Sequence, residues 1–171
     1  MQDGQSYQTM KEISEQEAWL RLSTLCANGE HCQHEMTEKM KRWGIGDEAQ
    51  ARIMERLTKE RYVDDERFAR AFVGDKVRFD KWGRRKVEQA LWMKHISDDI
   101  QQRVLDEVDS GLYVDNLRTL LKAKKKSTKA QNDYELRQKL IRFAMGRGYD
   151  FDIIRQAMDT GDIDEEMISE E

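Results

Sequence analysis

An all-α fold of tandem three-helix repeats is what this 171-residue sequence predicts, and three observations carry the prediction. Apolar residues recur at three- and four-residue spacing along the chain, the rhythm of narrow amphipathic helices. No stretch sustains the period-two alternation of a half-buried strand. The pattern also returns on itself, since Tyr62-Val63-Asp64-Asp65 is matched 51 residues later by Tyr113-Val114-Asp115-Asn116. The same offset carries Met36 onto Val87, Met40 onto Leu91, Ile45 onto Ile96 and Ile53 onto Val104. A further shift of 53 carries Val87 onto Leu140, Ile96 onto Tyr149 and Val104 onto Ala157. Periods of this length belong to stacked arrays, so three units in an elongated, curved array are expected.

Ser14 followed by Glu17 is a capping box that opens the first helix; Ala18, Leu22 and Leu25 form its stripe and Asn28-Gly29 its end. Met36 and Met40 mark the second helix, and the Gly44-Ile45-Gly46 turn separates it from a third striped by Ile53 and Leu57. Asp64-Asp65 stands at the start of the fourth, where carboxylates cap the free N–H groups and favour the helix dipole. Its stripe is Phe68 and Phe72, and Trp82-Gly83 turns the chain into a fifth helix carrying Val87 and Leu91. Ser97-Asp98 opens the sixth, with Ile100 and Val104; with Phe68, Phe72, Val87 and Leu91 these two are expected to form the middle core. Leu117 and Leu121 stripe the seventh helix, whose apolar positions run out in the Lys122–Lys129 stretch, so it either ends early or projects into solvent. Asn132 with Glu135 caps the eighth, and Gly146-Arg147-Gly148 turns into the ninth. The expected division is 14–61, 62–110 and 111–160, between a tail at 1–13 and an acidic tail at 161–171, both read as disordered.

Composition narrows the class. Hydrophobic residues make up 38% and charged residues 37%, which suits several small helical cores better than one large one. There is no proline to break a helix. Apolar runs reach only about three residues, as in Leu91-Trp92-Met93, where a membrane span needs about 20. The first residues hold no apolar signal core, and two cysteines make no disulfide framework, so a cytoplasmic protein with no membrane partner is expected.

The net charge of −4 is unevenly spread. Nine acids against one arginine fill Asp150–Glu171, leaving twenty-nine basic and twenty-five acidic residues before them. Two clusters stand out: Arg78, Lys81, Arg84, Arg85 and Lys86 around the Trp82-Gly83 turn, and Lys122, Lys124, Lys125, Lys126 and Lys129 in the next unit. Equivalent segments of stacked repeats line one side, so both clusters are expected to face a common groove and a polyanionic or acidic partner. They are the candidate partner-facing residues.

The segment Tyr62–Ile96, YVDDERFARAFVGDKVRFDKWGRRKVEQALWMKHI, resembles the hallmark stretch of the RecX family of regulatory proteins. Tyr62, Asp64, Asp65, Phe68, Ala69, Gly83, Leu91, Lys94 and Ile96 match that pattern. YELRQKLIRFAMGRGYDFDIIRQAM in the third unit is similar in its Arg-Gly-aromatic turn and Ile-Ile helix. The resemblance spans about residues 14–160. It implies a chain of three-helix repeats that binds the RecA–DNA filament as a monomer. The implied effect is to suppress strand exchange, ATP hydrolysis and coprotease activity, and so to modulate DNA repair, recombination and the SOS response. The alternative is a helical protein that binds single- or double-stranded DNA non-specifically and competes for it.

Other chemistries find little support. There is no Gly-x-Ser-x-Gly turn, no phosphate-binding Gly-x-x-x-x-Gly-Lys loop and no dinucleotide fingerprint, so neither catalytic residues nor a cofactor site is assigned. Asp64-Asp65 is read as a cap rather than an acid–base pair. Cys26, His31, Cys32 and His34 have metal-ligand chemistry, but their spacing fits no zinc knuckle, and no metal site is assigned. Trp19, Trp43, Trp82, Trp92, Tyr62, Tyr113, Tyr134 and Tyr149 could stack on bases, yet most stand at helix ends where aromatics seal a small core.

Overall fold

The computed structural model describes residues 13–159. Within them lie nine helices and no strand: α1 (Glu15–Asn28), α2 (Gln33–Arg42), α3 (Asp47–Lys59), α4 (Asp65–Arg78), α5 (Arg84–Met93), α6 (Asp98–Asp106), α7 (Ser110–Ser127), α8 (Asp133–Gly146) and α9 (Phe151–Asp159). The fold is an all-α array of three-helix units. No described helix is long and apolar enough to cross a membrane. What was expected of the two tails lies outside the described residues, except at Ile13, which packs against the first core.

The chain divides into two compact units, residues 1–68 and 69–171. In the first, Ala18, Trp19, Leu22, Met36, Met40, Ile45, Ile53, Leu57 and Val63 form one buried cluster. Tyr62 meets Trp19 edge-on at 5.5 Å between ring centroids, and the Arg56 guanidinium lies 3.7 Å from the Trp19 ring. The helix starts are closed by side chains. The Ser14 hydroxyl accepts from the Glu17 N–H, and the Glu35 carboxylate reaches back to the Cys32 N–H.

In the second unit, α4 turns inward through Ala69, Val73 and Val77 rather than Phe72, which is only half-buried. Phe68 is buried but belongs to the first unit, and Ile100 is half-buried; Val87, Leu91 and Val104 are core. The sequence stripe was offset because an inward face on a short helix is narrower than the apolar residues available to it.

The repeat shows in one recurring joint between the second and third helix of each unit. Ile45 N–H donates to Met40 C=O (3.0 Å), Ile96 N–H to Leu91 C=O (3.2 Å) and Tyr149 N–H to Ala144 C=O (3.1 Å). Each joint passes through a left-handed residue: Gly44 (φ 71°), His95 (φ 56°) and Gly148 (φ 91°). The Gln50 amide then donates to the Ile45 carbonyl, and the Gln101 amide to the Ile96 carbonyl, both at 2.7 Å.

One sequence match does not share a conformation. Tyr62–Asp64 precede α4, but Tyr113–Asn116 lie inside α7. The Asp109 carboxylate accepts from the Gly111 N–H (2.9 Å) and starts α7 at Ser110. Asn116 is thereby turned inward, donating to the Val77 carbonyl at 2.8 Å. At its other end α7 stays helical through Ser127, with its last buried residue at Leu121. Of the two alternatives left open for the lysine stretch, the helix runs on into solvent.

Candidate functional site

The α4–α5 turn of the second unit is built against the α8–α9 turn by backbone, not by side-chain caps. Gly83, the N-cap of α5, has no side chain to offer, and the helix opens with Arg84-Arg85-Lys86 and no acid in its first turn. Its free donors are taken by the facing turn: Gly83 N–H donates to the Arg147 carbonyl and Arg85 N–H to the Gly148 carbonyl, both at 2.9 Å. Arg147 Nη2 returns to the Asp80 carbonyl (2.7 Å), and the Tyr149 hydroxyl to the Lys81 carbonyl (2.6 Å). The approach is close enough that a methyl on Gly83 would overlap the Gly148 carbonyl and the Tyr149 nitrogen, and one on Gly148 the Lys86 backbone.

Cations and aromatics collect at this joint. Lys86 Nζ lies 4.3 Å and Lys76 Nζ 4.7 Å from the Trp82 ring centroid. Arg147 and Lys124 lie 5.9 and 5.2 Å from the Phe143 ring. Arg147 thus joins the two basic clusters: Trp82 with Lys76, Lys81, Arg85 and Lys86 on one side, Phe143 with Lys124 and the lysine-rich end of α7 on the other. Phe79, at the start of the same α4–α5 turn, is 79% exposed.

The candidate residues play different parts. Arg84 is half-buried and committed to the fold, bonding Asp106 at 2.7 Å and Gln102 at 3.1 Å. Lys81 is also half-buried, in a left-handed conformation (φ 54°), and Lys86 leans on Trp82. Arg78, Arg85, Lys122, Lys124, Lys126 and Lys129 are exposed, and Lys125 is half-buried. Lys129 is partly engaged through its backbone, its carbonyl accepting from Lys139 Nζ. Sequence reasoning missed Lys76, Phe143 and Arg147, although Trp82 and Phe143 each sit beside cations in sequence, which was the available signal.

The two clusters differ electrostatically. Lys124-Lys125-Lys126 close a helix C-terminus, where cations meet the negative end of the dipole. Arg84-Arg85-Lys86 open a helix, where the dipole is positive and cations are unfavourable. Arg85, the exposed one of these three, is held there against local helix energetics.

The remaining candidates resolve into structure. The Asp64 carboxylate accepts from the Glu66 and Arg67 N–H groups, both at 3.0 Å, capping its own helix. Asp65 accepts from the Gln33 N–H at 2.9 Å and caps α2 instead; burial raises its pKa. Cys32 stands at the start of α2 with its thiol pushed up to about 11 by burial, and Cys26 Sγ lies 3.7 Å from Met36 Sδ. No group of three metal-ligating side chains converges among the described residues. Trp19, Tyr113 and Tyr149 are core, whereas Trp92 and Tyr134 are 68% and 72% exposed.

These features define an all-α tandem-repeat protein with a cation–aromatic edge where its second and third repeats meet. Comparison with known proteins agrees and makes it particular. The RecX second three-helix domain matches residues 64–105, and the RecX third three-helix domain matches residues 112–158. A regulatory protein RecX of Prosthecochloris aestuarii is 35% identical over 76% of this chain and 83% of its own length. One of Chlorobium phaeobacteroides is 30% identical over 88% and 97%. The crystal structure of RecX from Lactobacillus salivarius superposes with a TM-score of 0.76 at 18% identity, covering 85% of this chain and 94% of that one. A second crystal structure, of a regulatory protein RecX, gives 0.79 at 16% identity, covering 85% and 73%. The chain belongs to the RecX family of regulatory proteins.

Proposed function

We propose that this protein binds the RecA–DNA filament and restrains it, lowering strand exchange, ATP hydrolysis and coprotease activity and so modulating DNA repair, recombination and the SOS response. It acts in the cytoplasm as a monomer, through surface contacts, with no catalytic residue or cofactor of its own. Family membership supports the reading. The observation that carries it is the placement of Arg85 and Lys86 beside Arg84 at a helix start that disfavours cations, joined through Arg147 to the lysines of α7. Such an edge suits acidic protein surface and phosphate together.

The test is ATP hydrolysis by RecA on single-stranded DNA with and without the protein. Substoichiometric inhibition is expected, and no inhibition at a several-fold excess over RecA overturns the reading. The same edge supports a second reading, competition for DNA through phosphate contacts. Capture of RecA with DNA absent separates the two: binding that requires DNA favours competition.

A further inference from the structure

We propose that a groove between α4 and the α6–α7 corner seats an aliphatic side chain of a protein partner, with Arg78 pairing to a carboxylate beside it. This rests on the reading of the chain as one that acts by binding another protein, but its first test does not. The groove encloses about 400 Å³, the size of sites that hold a small ligand. Its apolar lining is Val73 and Val77 of α4, Val104 of α6, Val108 at the corner and Leu112 of α7. Val108 and Leu112 are half-buried and leave aliphatic surface open. Gly74 gives the groove depth. It shares a face of α4 with Arg70 and Arg78, and a methyl on it would meet nothing within 4 Å. Glycine inside a helix is unfavourable relative to alanine, and the chain's own packing does not call for one here. Its missing side chain leaves room for an incoming group to come close to the α4 backbone.

The polar rim is committed except at one point. Arg70 and Glu107 close one end with a two-pronged ion pair, Nε to Oε2 and Nη2 to Oε1, both at 2.9 Å. The Asp109 carboxylate accepts from the Gly111 N–H at the start of α7. Arg78, roughly 12 Å along the helix from Arg70, is exposed and forms no ion pair among the described residues. An aliphatic floor with one unmatched cation suits an apolar group next to an anion. No aromatic ring lines the groove among the described residues, so a nucleic-acid base has nothing to stack on, and one cation cannot track a phosphate backbone. The occupant that fits is a protein segment with Leu, Ile or Val near an Asp or Glu. Lys76, which leans on Trp82, lies about 160° around α4 from Gly74, so the groove and the cation–aromatic edge are separate surfaces.

The first test uses the full chain and a small probe. Isocaproate, a branched aliphatic chain ending in a carboxylate, is titrated in and followed by methyl NMR. Saturating shifts are expected at the methyls of Val73, Val77, Val104, Val108 and Leu112, with a Kd on the order of millimolar. Gly74→Leu, which fills the groove, should abolish them. Arg78→Gln should weaken isocaproate about two- to fivefold and leave its uncharged counterpart, isohexanol, unchanged. Shifts spread evenly over the chain, no shifts at all, or full binding in both variants overturn the proposal.

The second test is capture of RecA by the full chain with DNA absent. Gly74→Leu should lower the affinity by at least about tenfold, as filling the pocket of an anchoring side chain does. Ala51→Leu, at an exposed position of α3 in the first unit, should match the parent. If the parent and Gly74→Leu capture RecA equally, the groove is not the contact and the proposal falls while the functional reading stands. If the parent captures no RecA and isocaproate still seats in the groove, the functional reading fails and the ligand chemistry of the groove stands.

Discussion

Asp64 and Asp65 are adjacent and alike, yet they serve different helices, and their replacements should behave differently. Asp64 holds two N–H groups of α4, so Asp64→Ala should cost about 1 kcal/mol, read as a shift in urea midpoint. Asp65 is half-buried, and burial raises its pKa above the ordinary carboxylate value. A raised folded-state pKa means that ionisation works against folding. The penalty is absent below the unfolded-state pKa and sets in as pH rises through the folded one. Asp65→Asn keeps an oxygen acceptor for Gln33 and removes that penalty. The variant should therefore gain on the parent as pH rises above the ordinary aspartate range, and a parallel pair of stability–pH curves would contradict this. The pair was legible in sequence as caps, but which helix each served was not, because the Gln33 contact reaches 32 residues back.

Glycines make the second contrast at this scale. Gly83→Ala should destabilise by roughly 1–3 kcal/mol, since a methyl there overlaps backbone rather than a movable side chain. Gly74→Ala meets nothing within 4 Å in the middle of α4 and should stabilise by about 0.5–1 kcal/mol. Thermal unfolding of both variants checks the pair, and similar effects would contradict the close turn-to-turn approach at Gly83.

Among elements, the recurring joint is where sequence and structure agree best. Offsets of 51 and 53 placed Ile45, Ile96 and Tyr149 in register, and all three donate the same backbone bond. Gln50 and Gln101 recur with the same hydrogen bond and could have been read from the same offset. The third copy carries Ile154 instead, so its joint relies on apolar packing. Gln101 is buried and Gln50 is not. Gln101→Leu, which leaves the Ile96 carbonyl without that donor, should cost about 1–3 kcal/mol, while at Gln50 water can replace the lost donor and the cost should be smaller. Equal losses in chemical unfolding would show that burial does not distinguish them. The offset misled at Tyr113-Val114-Asp115-Asn116, because the Asp109 cap starts α7 before that motif, and local capping outranked the longer-range echo.

Across the second unit, the edge was partly visible in sequence and partly not. The basic runs are plain in the composition of each segment. Their junction through Arg147 is not, because Arg147 and Asp80 lie 67 residues apart and nothing local announces the contact. The structure also separates cations that serve the fold from those left to serve a partner. Arg84→Glu would set a carboxylate against Asp106 and should lower stability as well as binding. Arg85→Glu with Lys122→Glu spares that pair. This variant should keep the parent's helix content by circular dichroism, weaken filament inhibition, and flatten its dependence on salt. Undiminished inhibition across a salt titration would place the binding surface elsewhere.

The joint at Gly83 has a consequence for how such a chain can have grown. Helix α2 is closed at its start by a carboxylate from α4, and α5 by two carbonyls from the turn before α9. The units share a period but not a connector. A copy of the second unit placed last would leave the first donors of α5 without those carbonyls, and a copy of the third placed in the middle would present its turn to the wrong neighbour. Units of this kind cannot be duplicated or shuffled freely, as those of an ankyrin-like array can. The spacing is common to all three repeats, while the contacts that close their helices differ from one repeat to the next.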